Sequence, residues 1–404
     1  MGEQSDISSK TYVSDKNLQN KTLIRFNNFD DDFSESKLGE ISTFLKGKGI
    51  SKEDISPDGI PCIRYGELYT KYNENIESIF SKTNLPKENL VFSEKGDILI
   101  PTSGEAAEDI ATASCLNRDG IALGSDITIL RTKINSLYLA YYINFKKNEI
   151  AKLAQGVSIV HLYPKDLKEY KIKYPSLEEQ EKVVNFLKLI DLKINSLEKT
   201  LVLYQRYKTY FLDTLINKNN SPLEKMSNII RITSSKNKNN ENLLVLSINN
   251  KLGFISQNDQ FENHKVASED TSNYKIVEKD DFAYNPARIN VGSIARLRNY
   301  NKGIVSPMYI VFKIDKDKVN LNYFENYIDS YDFRLNVLKR LEGSVRLVLS
   351  AEALKNIMIP LPNLNEQEKI GNFLEYNNKR IQLTNKKLEE LKEYKKGLLQ
   401  KMFC

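Results

Sequence analysis

A segment near the middle of this chain recurs almost unchanged near its end. Residues 175–182 read PSLEEQEK and residues 362–369 read PNLNEQEK, a shift of 187 positions (175 to 362) in a chain of 404 residues. Matches continue at wider spacing, for example with Tyr207 returning as Tyr394. A repeat of this kind marks a structural unit that is present twice, so we expect two related halves. Two related halves in one chain can present two equivalent surfaces to a nearly two-fold partner.

Length and composition are those of a multidomain globular protein. A chain of 404 residues suggests two or three domains at roughly 150 residues per domain. Its hydrophobic content of 40% and charged content of 28% are typical of soluble proteins. No apolar run approaches the roughly 18 residues that a membrane span needs. The polar start lacks the basic-then-apolar order of a secretory signal, so a cytoplasmic location is expected.

The cysteines and histidines do not predict a metal site. Cys62, Cys115 and Cys404 are too far apart in sequence for a zinc motif or a disulfide framework, and neither His161 nor His264 has a second ligand at metal-binding spacing. We therefore expect reduced thiols and no cofactor bound by this chain. The net charge of +6 is compatible with nucleic-acid binding but also with many other functions.

Both halves have the pattern of an α+β (mixed α/β) domain followed by a long helix. Short β-like runs at 60–63, 97–101 and 121–130 lie between turn signals, helical character follows at 137–154, and the second half repeats this order. The predicted segments are an N-terminal lead-in (1–33), a first globular domain (34–170), a central helix (171–218), a second globular domain (219–358) and a C-terminal helix (359–404).

Short motifs also repeat inside the globular domains. EKGDI at 94–98 is echoed by EKDDF at 278–282, and a Gly-Val-Ser tripeptide at 156–158 by Gly-Ser-Val at 343–345. The domains otherwise agree poorly in sequence, whereas the helices agree well. The two halves are therefore expected to share an order of elements while differing in the residues on their surfaces.

The repeated segments have the signals of helix starts. Ser176 and Glu179 form a capping-box pattern after a proline, and Asn363 with Glu366 offers a similar start. Apolar residues then follow a four-three alternation over about 40 residues, which is about 60 Å of helix. The seam positions are Val183, Leu187, Ile190, Ile194, Leu197, Leu201, Tyr204, Lys208, Phe211 and Leu215, with Ile370, Leu374, Asn377, Ile381, Thr384, Leu388, Leu391, Lys395, Leu398 and Met402 in the second copy.

Each seam predicts a helical partner, and the obvious partner is the other copy. An antiparallel pair fits best, because an intervening domain brings the chain back and antiparallel packing makes the halves two-fold related. A parallel pair is also compatible with so long a connection. The polar seam residues Lys208 and Lys395 have two interpretations. Their stems could snorkel at a frayed helix end, or each lysine could fix the register by meeting the acidic start of the opposite helix near Glu366 or Glu179.

Two divergent mixed α/β domains, each closed by a related helix that opens with proline, leucine and Glu-Gln, resemble the specificity subunit of type I restriction-modification systems. The most specific segments are 175–182 and 362–369, supported by the Gly156 and Gly343 motifs and by residues 37–41. The chain departs from the family pattern in two ways. It has no tryptophan before the domain-opening Leu-Gly, and Met-Ser replaces Leu-Gly in the second copy.

The resemblance implies a pseudo-two-fold fold in which two target recognition domains are joined and spaced by two long helices packed as an antiparallel coiled coil. It implies a DNA-specificity subunit that recognises a bipartite duplex site and recruits two methyltransferase subunits and, where the system has them, two motor-nuclease restriction subunits. S-adenosylmethionine, ATP and Mg would then belong to those partners. Half-sites on one DNA face lie roughly 34 Å apart, so a stiff spacer is needed to set the gap between them.

Basic residues interleaved with tyrosines are the best candidates for DNA contact. Residues 282–314 contain five basic residues and no acid, a pattern that suits phosphate neutralisation and guanine readout. A basic surface loop without a ligand is the alternative. Arginines of the first domain and the serines and arginine of the repeated glycine motifs are weaker candidates. The candidate DNA-binding residues are Arg64, Arg118, Arg131, Ser158, Arg231, Lys236, Arg288, Arg296, Arg298, Lys302, Ser344 and Arg346.

The repeated helix starts supply the candidates for partner docking, namely Glu179, Gln180, Glu366 and Gln367. Helix capping alone would also explain the glutamates. Catalysis by this chain is not expected, because no ATP-binding glycine loop, methyltransferase loop or nuclease motif is present. A competing interpretation is a non-catalytic two-domain coiled-coil scaffold that binds proteins rather than DNA. Steep salt dependence of duplex binding would separate the two.

Overall fold

The computed structural model describes residues 24–26, 29–217, 221–250, 252–257, 270–343 and 346–403. The chain forms two compact units. The first comprises the described residues up to Asn195 together with residues 389–403, and the second comprises the described residues between Ser196 and Leu388. The predicted segment boundaries stay a prediction, because the units divide inside the two long helices and not at the domain edges.

The first unit contains short strands and helices followed by the start of a long helix. Its strands are β1 (Ser34–Lys37), β2 (Ser42–Lys46), β3 (Ile55–Ser56), β4 (Ile60–Ile63), β5 (Ser81–Thr83), β6 (Asp97–Pro101), β7 (Ser103–Gly104), β8 (Ser114–Leu116), β9 (Ala122–Leu123), β10 (Ile127–Thr132), β11 (Val160–His161) and β12 (Lys171–Tyr174). Its helices are α1 (Leu38–Ile41), α2 (Tyr65–Thr70), α3 (Ala107–Ile110), α4 (Ser136–Phe145), α5 (Lys147–Ile150), α6 (Pro164–Glu169) and α7 (Leu177–Asn217), which continues into the second unit.

Two four-stranded sheets carry the core of the first unit, one in the order β2-β10-β6-β8 and the other in the order β3-β5-β4-β9. Buried aliphatic residues of β6 and β10, such as Leu99 and Ile129, pack with Leu68 of α2. Complete burial of such side chains drives this packing. The run 121–130 is two strands and not the single strand predicted, because Asp126 takes a left-handed φ of 60° between them.

The second unit repeats the order with different sequence. Its strands are β13 (Leu223–Lys225), β14 (Ile230–Thr233), β15 (Leu246–Asn249), β16 (Gly253–Ser256), β17 (Lys275–Glu278), β18 (Phe282–Tyr284), β19 (Ile294–Arg296), β20 (Lys302–Val305), β21 (Ile310–Ile314) and β22 (Met358–Pro360). Its helices are α8 (Leu321–Tyr327), α9 (Tyr331–Leu338), α10 (Ala351–Lys355) and α11 (Leu364–Met402), which ends in the first unit.

The central sheets of the two units correspond strand for strand. The order β14-β21-β18-β19 matches β2-β10-β6-β8, with antiparallel pairing throughout. The repeated turn before β6 and β18 is also preserved. Asp97 accepts a hydrogen bond from the backbone of Glu94 at 2.8 Å, as Asp281 does from Glu278 at 2.9 Å. The expectation of two related mixed α/β halves is confirmed.

The two long helices pair in antiparallel fashion inside the second unit. The Asn377 side chain of α11 donates to the Tyr204 carbonyl oxygen of α7 at 3.2 Å, and the rings of Phe211 and Phe373 lie 4.8 Å apart. Residue numbers therefore rise along α7 as they fall along α11. In the first unit, Asp191 of α7 meets Lys395 of α11 at 2.7 Å. The predicted seam positions whose side chains are described are buried or half-buried on both helices.

Lys208 and Lys395 do not meet the acidic helix starts that the register interpretation named. Lys395 is 14% exposed and forms ion pairs with Asp191 at 2.7 Å and with Glu74 at 3.2 Å. Lys208 pairs with Asp329, whose side chain is 58% exposed. The snorkelling interpretation is also wrong for Lys395, because its ammonium group lies over the Tyr141 ring and between carboxylates. Glu74 and Asp329 belong to the globular parts of the two units, so the repeat of the long helices alone could not predict these ion pairs.

None of the described helices is long and apolar enough to cross a membrane. Cys62 and Cys115 are buried and free. Burial raises the pKa of Cys62 to about 11 and that of Cys115 to about 12. Both thiols are therefore protonated and unreactive in the native fold.

Candidate nucleic-acid interface

Each unit carries a hairpin at the repeated glycine motif. Gln155 and His161 exchange backbone hydrogen bonds of 2.9 and 2.8 Å, and Glu342 and Val348 exchange bonds of 3.0 and 2.9 Å. We call residues 155–161 and the described part of 342–348 the glycine hairpins. Gly156 and Gly343 have φ angles of 128° and 117°. A Cβ atom there would lie 2.1 and 2.4 Å from the carbonyl oxygens of Ile159 and Arg346, so both turns require glycine.

Each hairpin is hydrogen-bonded to the equivalent position in the central sheet of its own unit. The Leu162 backbone N–H donates to the Thr102 carbonyl oxygen at 3.0 Å, and Leu349 donates to Pro286 at 3.0 Å. Thr102 and Pro286 each follow shortly after the equivalent strands β6 and β18. The repeated motif therefore presents one loop from the same sheet end in each unit.

The first hairpin exposes polar, apolar and aromatic groups together. Ser158 is exposed and Val157 is 97% exposed. The Ser103 hydroxyl and His161 Nδ1 lie 3.0 Å apart, and the His161 ring stacks on the half-exposed ring of Tyr163. The Lys165 ammonium group lies 5.5 Å from the centre of the Tyr163 ring. This edge offers a cation, hydrogen-bonding groups and a stacking face.

The second hairpin lies beside a set of exposed arginines. Arg346 is in the hairpin, Arg288 follows the strand end to which the hairpin is fastened, and Arg334 lies on α9. The supporting residues Ile289, Phe333, Val337 and Leu349 belong to one buried cluster, which brings the three backbones together. Among the residues that the structure describes, the side chains of these arginines make no ion pair or hydrogen bond. We call Arg288, Arg334 and Arg346 the basic face of the second unit.

Arg334 is a residue that sequence reasoning missed. It lies in a helix of mixed composition, between Asp332 and Asn336, and no basic run marks it. Its exposure, close in the fold to the segment that follows Arg288, is visible only once α9 packs beside residues 289–291. A helical wheel of residues 331–338 would not have marked it, because position 334 lies beside Val337 at the edge of the buried face and not opposite to it.

Several predicted DNA-binding residues are engaged in contacts within the chain. Arg296 bonds Asp280 at 2.5 Å, and Arg298 bonds Glu325 at 2.6 Å and Glu375 at 3.1 Å. Burial raises the pKa of Glu375, but Arg298 and Lys379 outweigh this, so that pKa lies below its usual value. Arg131 likewise bonds Asp97 at 2.9 Å and Glu94 at 2.6 Å. Four of the five basic residues of 282–314 therefore have acidic partners from other parts of the chain, whereas Arg288 has none among the described residues. DNA contact by Arg131, Arg296 and Arg298 stays a prediction.

The remaining candidates are spread over the surface of their units. Lys302 pairs with Glu241 at 3.2 Å, and the Lys236 ammonium group donates to Asn273 at 3.1 Å. Arg118 and Arg231 are exposed, while Arg64 is half-buried at the start of α2 with a buried Nε. Ser344 lies outside the described residues. The hairpins bring together Ser158 with His161 in one unit and Arg288 with Arg346 in the other, but not the full predicted set.

The helix-start candidates have internal partners in three of four cases. Gln180 and Gln367 are each 1% exposed and bond backbone groups of their own unit. Glu179 is buried in an ion pair of 2.6 Å with Arg25, so it does not reach back as a capping box would require. Glu366 is exposed, and its backbone N–H donates to Asn363 at 3.0 Å. We retain Glu366 alone as a docking candidate and assign the glutamines to internal positioning.

A second apolar stripe on each long helix is left uncovered. The residues of the four-three pattern face the seam, whereas a different set of apolar residues lies on the outside of each helix. Large exposed hydrophobic residues are normal singly, but a row of them on a helix indicates a protein contact. We call this set the outer stripe; it consists of Leu189, Val202, Leu203, Tyr207 and Tyr210 on α7 and Tyr376, Leu383 and Tyr394 on α11.

Comparison with known proteins identifies the family. The sequence pattern of the type I restriction modification DNA specificity domain matches residues 30–203 and again residues 215–393. The chain belongs to this family. The two matches coincide with the internal repeat, so each half of the chain corresponds to one specificity domain. Membership favours a non-catalytic DNA-specificity subunit over the scaffold interpretation.

Similarity to family members extends over nearly the whole chain. This chain is 24% identical to the type I restriction enzyme MjaVIII specificity subunit of Methanocaldococcus jannaschii, over 91% of each chain. The fold is similar to the type I restriction-modification S subunit from M. genitalium, with a TM-score of 0.65 at 15% identity, covering 94% of this chain and 97% of that one. A chain from a solved type I system complex has a TM-score of 0.51 at 14% identity, covering 93% and 98%. The resemblance proposed from the repeated helix starts is confirmed.

Proposed function

We propose that the chain selects a bipartite DNA site and holds two methyltransferase subunits beside it. The repeated glycine hairpin, fastened to the same strand end in both units, is the observation that carries this proposal. One chain thereby presents two related loops that differ in chemistry, and each can read a different half-site. Two motor-nuclease subunits would join the same assembly where the system has them.

The basic face of the second unit supports duplex binding. Arg288, Arg334 and Arg346 are exposed and free of acidic partners among the described residues. Each can neutralise a phosphate or form two hydrogen bonds with a guanine edge. The first hairpin, with Val157, Ser158 and Tyr163, is less charged and better suited to hydrogen-bonding and apolar contact with bases. Ser344 stays a proposed contact of the second hairpin.

Methyltransferase docking is best placed on the outer stripe together with Glu366. The seam faces are already occupied, and the glutamines of the helix starts are buried, so these residues do not offer a free surface. Exposed tyrosines are frequent anchors of protein interfaces because they combine a large apolar ring with a polar tip. S-adenosylmethionine, ATP and Mg would be bound by the partner subunits.

The test of the proposed function uses the full chain coexpressed with its methyltransferase. Methylation sequencing of the host should reveal a split recognition site, and the purified complex should bind that duplex with steep salt dependence. A duplex in which one half-site is scrambled should bind much more weakly. Methylation without a split site, or binding that ignores sequence, would contradict the proposal.

Replacing Tyr207 and Tyr394 together by serine should weaken methyltransferase binding. Loss of two exposed interface anchors is expected to cost about 1 to 2 kcal/mol each, and it should leave the fold intact because both rings are solvent-exposed. The measurement is the dissociation constant of the methyltransferase by calorimetry. Tyr331→Ser, which removes an equally exposed ring of the second domain, is the matched control and should have no effect. Equal behaviour of the double variant and the control would place docking elsewhere.

A further inference from the structure

A buried glutamine joins each globular domain to its long helix. In the first unit, Gln180 of α7 accepts a hydrogen bond from the Asn135 backbone N–H at 2.9 Å and donates to the Pro175 carbonyl oxygen at 2.8 Å. In the second unit, Gln367 of α11 accepts from Asn320 at 2.8 Å and donates to Pro362 at 2.8 Å. One carboxamide therefore ties together the domain, the helix and the turn that precedes the helix.

The residue that each glutamine holds is itself a helix cap. The Asn135 side chain accepts from the Tyr138 backbone N–H at 3.1 Å and so begins α4. The Asn320 side chain accepts from Tyr323 at 3.1 Å and begins α8. A cap residue fixes where its helix starts and in which direction it leaves. Because the glutamine grips the backbone of the cap, the position of α4 or α8 is set from the long helix.

A second contact, about three turns further along the long helix, completes each attachment. The Tyr141 hydroxyl of α4 donates to Asp191 of α7, and Asn378 of α11 donates to Asn326 of α8 at 3.0 Å. The spacing between the two contacts is the same in both units. It is six residues on the short helix (135 to 141 and 320 to 326) and eleven residues on the long helix (180 to 191 and 367 to 378). One contact would leave the domain free to swivel, whereas two contacts define a direction.

The close approach in the second unit leaves little room for movement. A Cβ atom added to Gly371 of α11 would lie 2.8 Å from the Tyr323 backbone nitrogen and 2.9 Å from the Asn320 side-chain oxygen. The first turn of α8 thus rests directly on the backbone of the long helix. Buried hydrogen bonds that are fully satisfied resist distortion, because breaking them leaves unpaired polar groups away from water.

We propose that Gln180 and Gln367 are positioning residues that make the gap between the two DNA half-sites strict. This rests on the proposed function, in which a stiff spacer sets that gap. A helix pair can fix a distance only if the domains are rigidly fastened to it, and the glutamine joint is the fastening in each unit. The hairpins are fastened beyond the ends of β6 and β18, whereas α4 and α8 follow β10 and β21, which run antiparallel to those strands. The joints therefore lie towards the opposite end of the sheet and are not expected to choose the bases.

The experiment measures gap tolerance with the complex of full-length chain and methyltransferase. Duplexes carry both half-sites with the native gap or with the gap changed by one or two base pairs, and the methylation rates are compared. Gln180→Met and Gln367→Met should lower the preference for the native gap by about tenfold, as expected when a preorganised geometry is relaxed. Discrimination against a changed base within a half-site should stay as in the wild type. Gln382→Met, an exposed glutamine of α11, should change neither ratio.

The possible outcomes distinguish a failure of the glutamine proposal from a failure of the proposed function. A wild-type complex without any gap preference would overturn the proposed function itself. If the wild type prefers the native gap but the variants lose activity on all gaps equally, the proposed role of the glutamines would be overturned. A merely structural role lowers the fraction of active protein without changing the ratio of the methylation rates on native and altered gaps. If Gln180→Met does not fold, Tyr141→Phe decides, because it removes only the hydroxyl of the second contact. It should relax the gap preference in the same direction, and an unchanged ratio would count against the proposal.

Discussion

Lys395→Met is expected to destabilise the first unit by about 3 kcal/mol, at the lower end for a broken buried ion pair. Lys395 lies between Asp191 and Glu74 at 2.7 and 3.2 Å and over the Tyr141 ring. Methionine fills a similar volume but leaves both carboxylates without their cation in a half-buried place. Native-state hydrogen exchange of the α4 amides reports this unit directly, and their opening free energy should fall.

The matched control is Lys208→Met, the same seam position in the other copy. Lys208 bonds Asp329 at 3.1 Å, and this carboxylate is 58% exposed. A pair in contact with solvent contributes less than about 1 kcal/mol, so the control should barely change exchange in α8. Equal losses at both positions would show that the seam, and not the acids of the globular part, determines the effect.

The pH dependence of the Lys395 effect has a definite sign. Burial lowers the pKa of Lys395, but Glu74 and Asp191 outweigh it, so the pKa is raised in the folded protein. The stabilisation is therefore complete below the unfolded pKa of about 10.4 and is lost as the pH rises through the folded value. The difference between wild type and Lys395→Met should be constant near neutrality and should shrink at strongly alkaline pH.

Arg288→Ala combined with Arg346→Ala is expected to weaken DNA binding by about 1 to 3 kcal/mol for each arginine that reads a base. Both side chains are exposed on backbones that the Leu349 to Pro286 hydrogen bond of 3.0 Å holds together. If they contact phosphates instead, affinity should fall for all sequences and the salt slope should drop by about one for each contact. Titration of the complex on target and scrambled duplexes at several salt concentrations distinguishes these results.

Lys369→Ala combined with Lys387→Ala removes the same charge from exposed positions of α11 and serves as the control. If affinity follows net charge alone, control and test variants should behave alike, and the basic face would lose its assignment. Arg296→Ala is informative in the opposite sense. Because Arg296 is held by Asp280 at 2.5 Å, its removal should affect stability before it affects sequence preference.

The repeat made much of the architecture predictable. A four-three seam, present twice, specifies a helix pair because every buried position recurs on one face of each helix. The sequence also predicted that residues 94–98 and 278–282 are equivalent. In both turns an aspartate side chain accepts a hydrogen bond from the backbone N–H three residues earlier. Local hydrogen bonds and periodic burial depend on residues that are near in sequence, and for this reason the sequence alone suffices for them.

Only the tertiary structure decided which charged side chains have partners within the chain. Arg296 and Arg298 lie in an acid-free stretch, yet Asp280, Glu325 and Glu375 reach them from β-turn, helix and spacer. Gln180 and Gln367 similarly look like surface residues of a helix start, but α4 and α8 close over them. The sequence by itself determined the two mixed α/β halves, the paired helices and the family. Which polar groups stay free to meet DNA or a partner depended on long-range packing, because a charge is available only when no distant residue folds back to neutralise it.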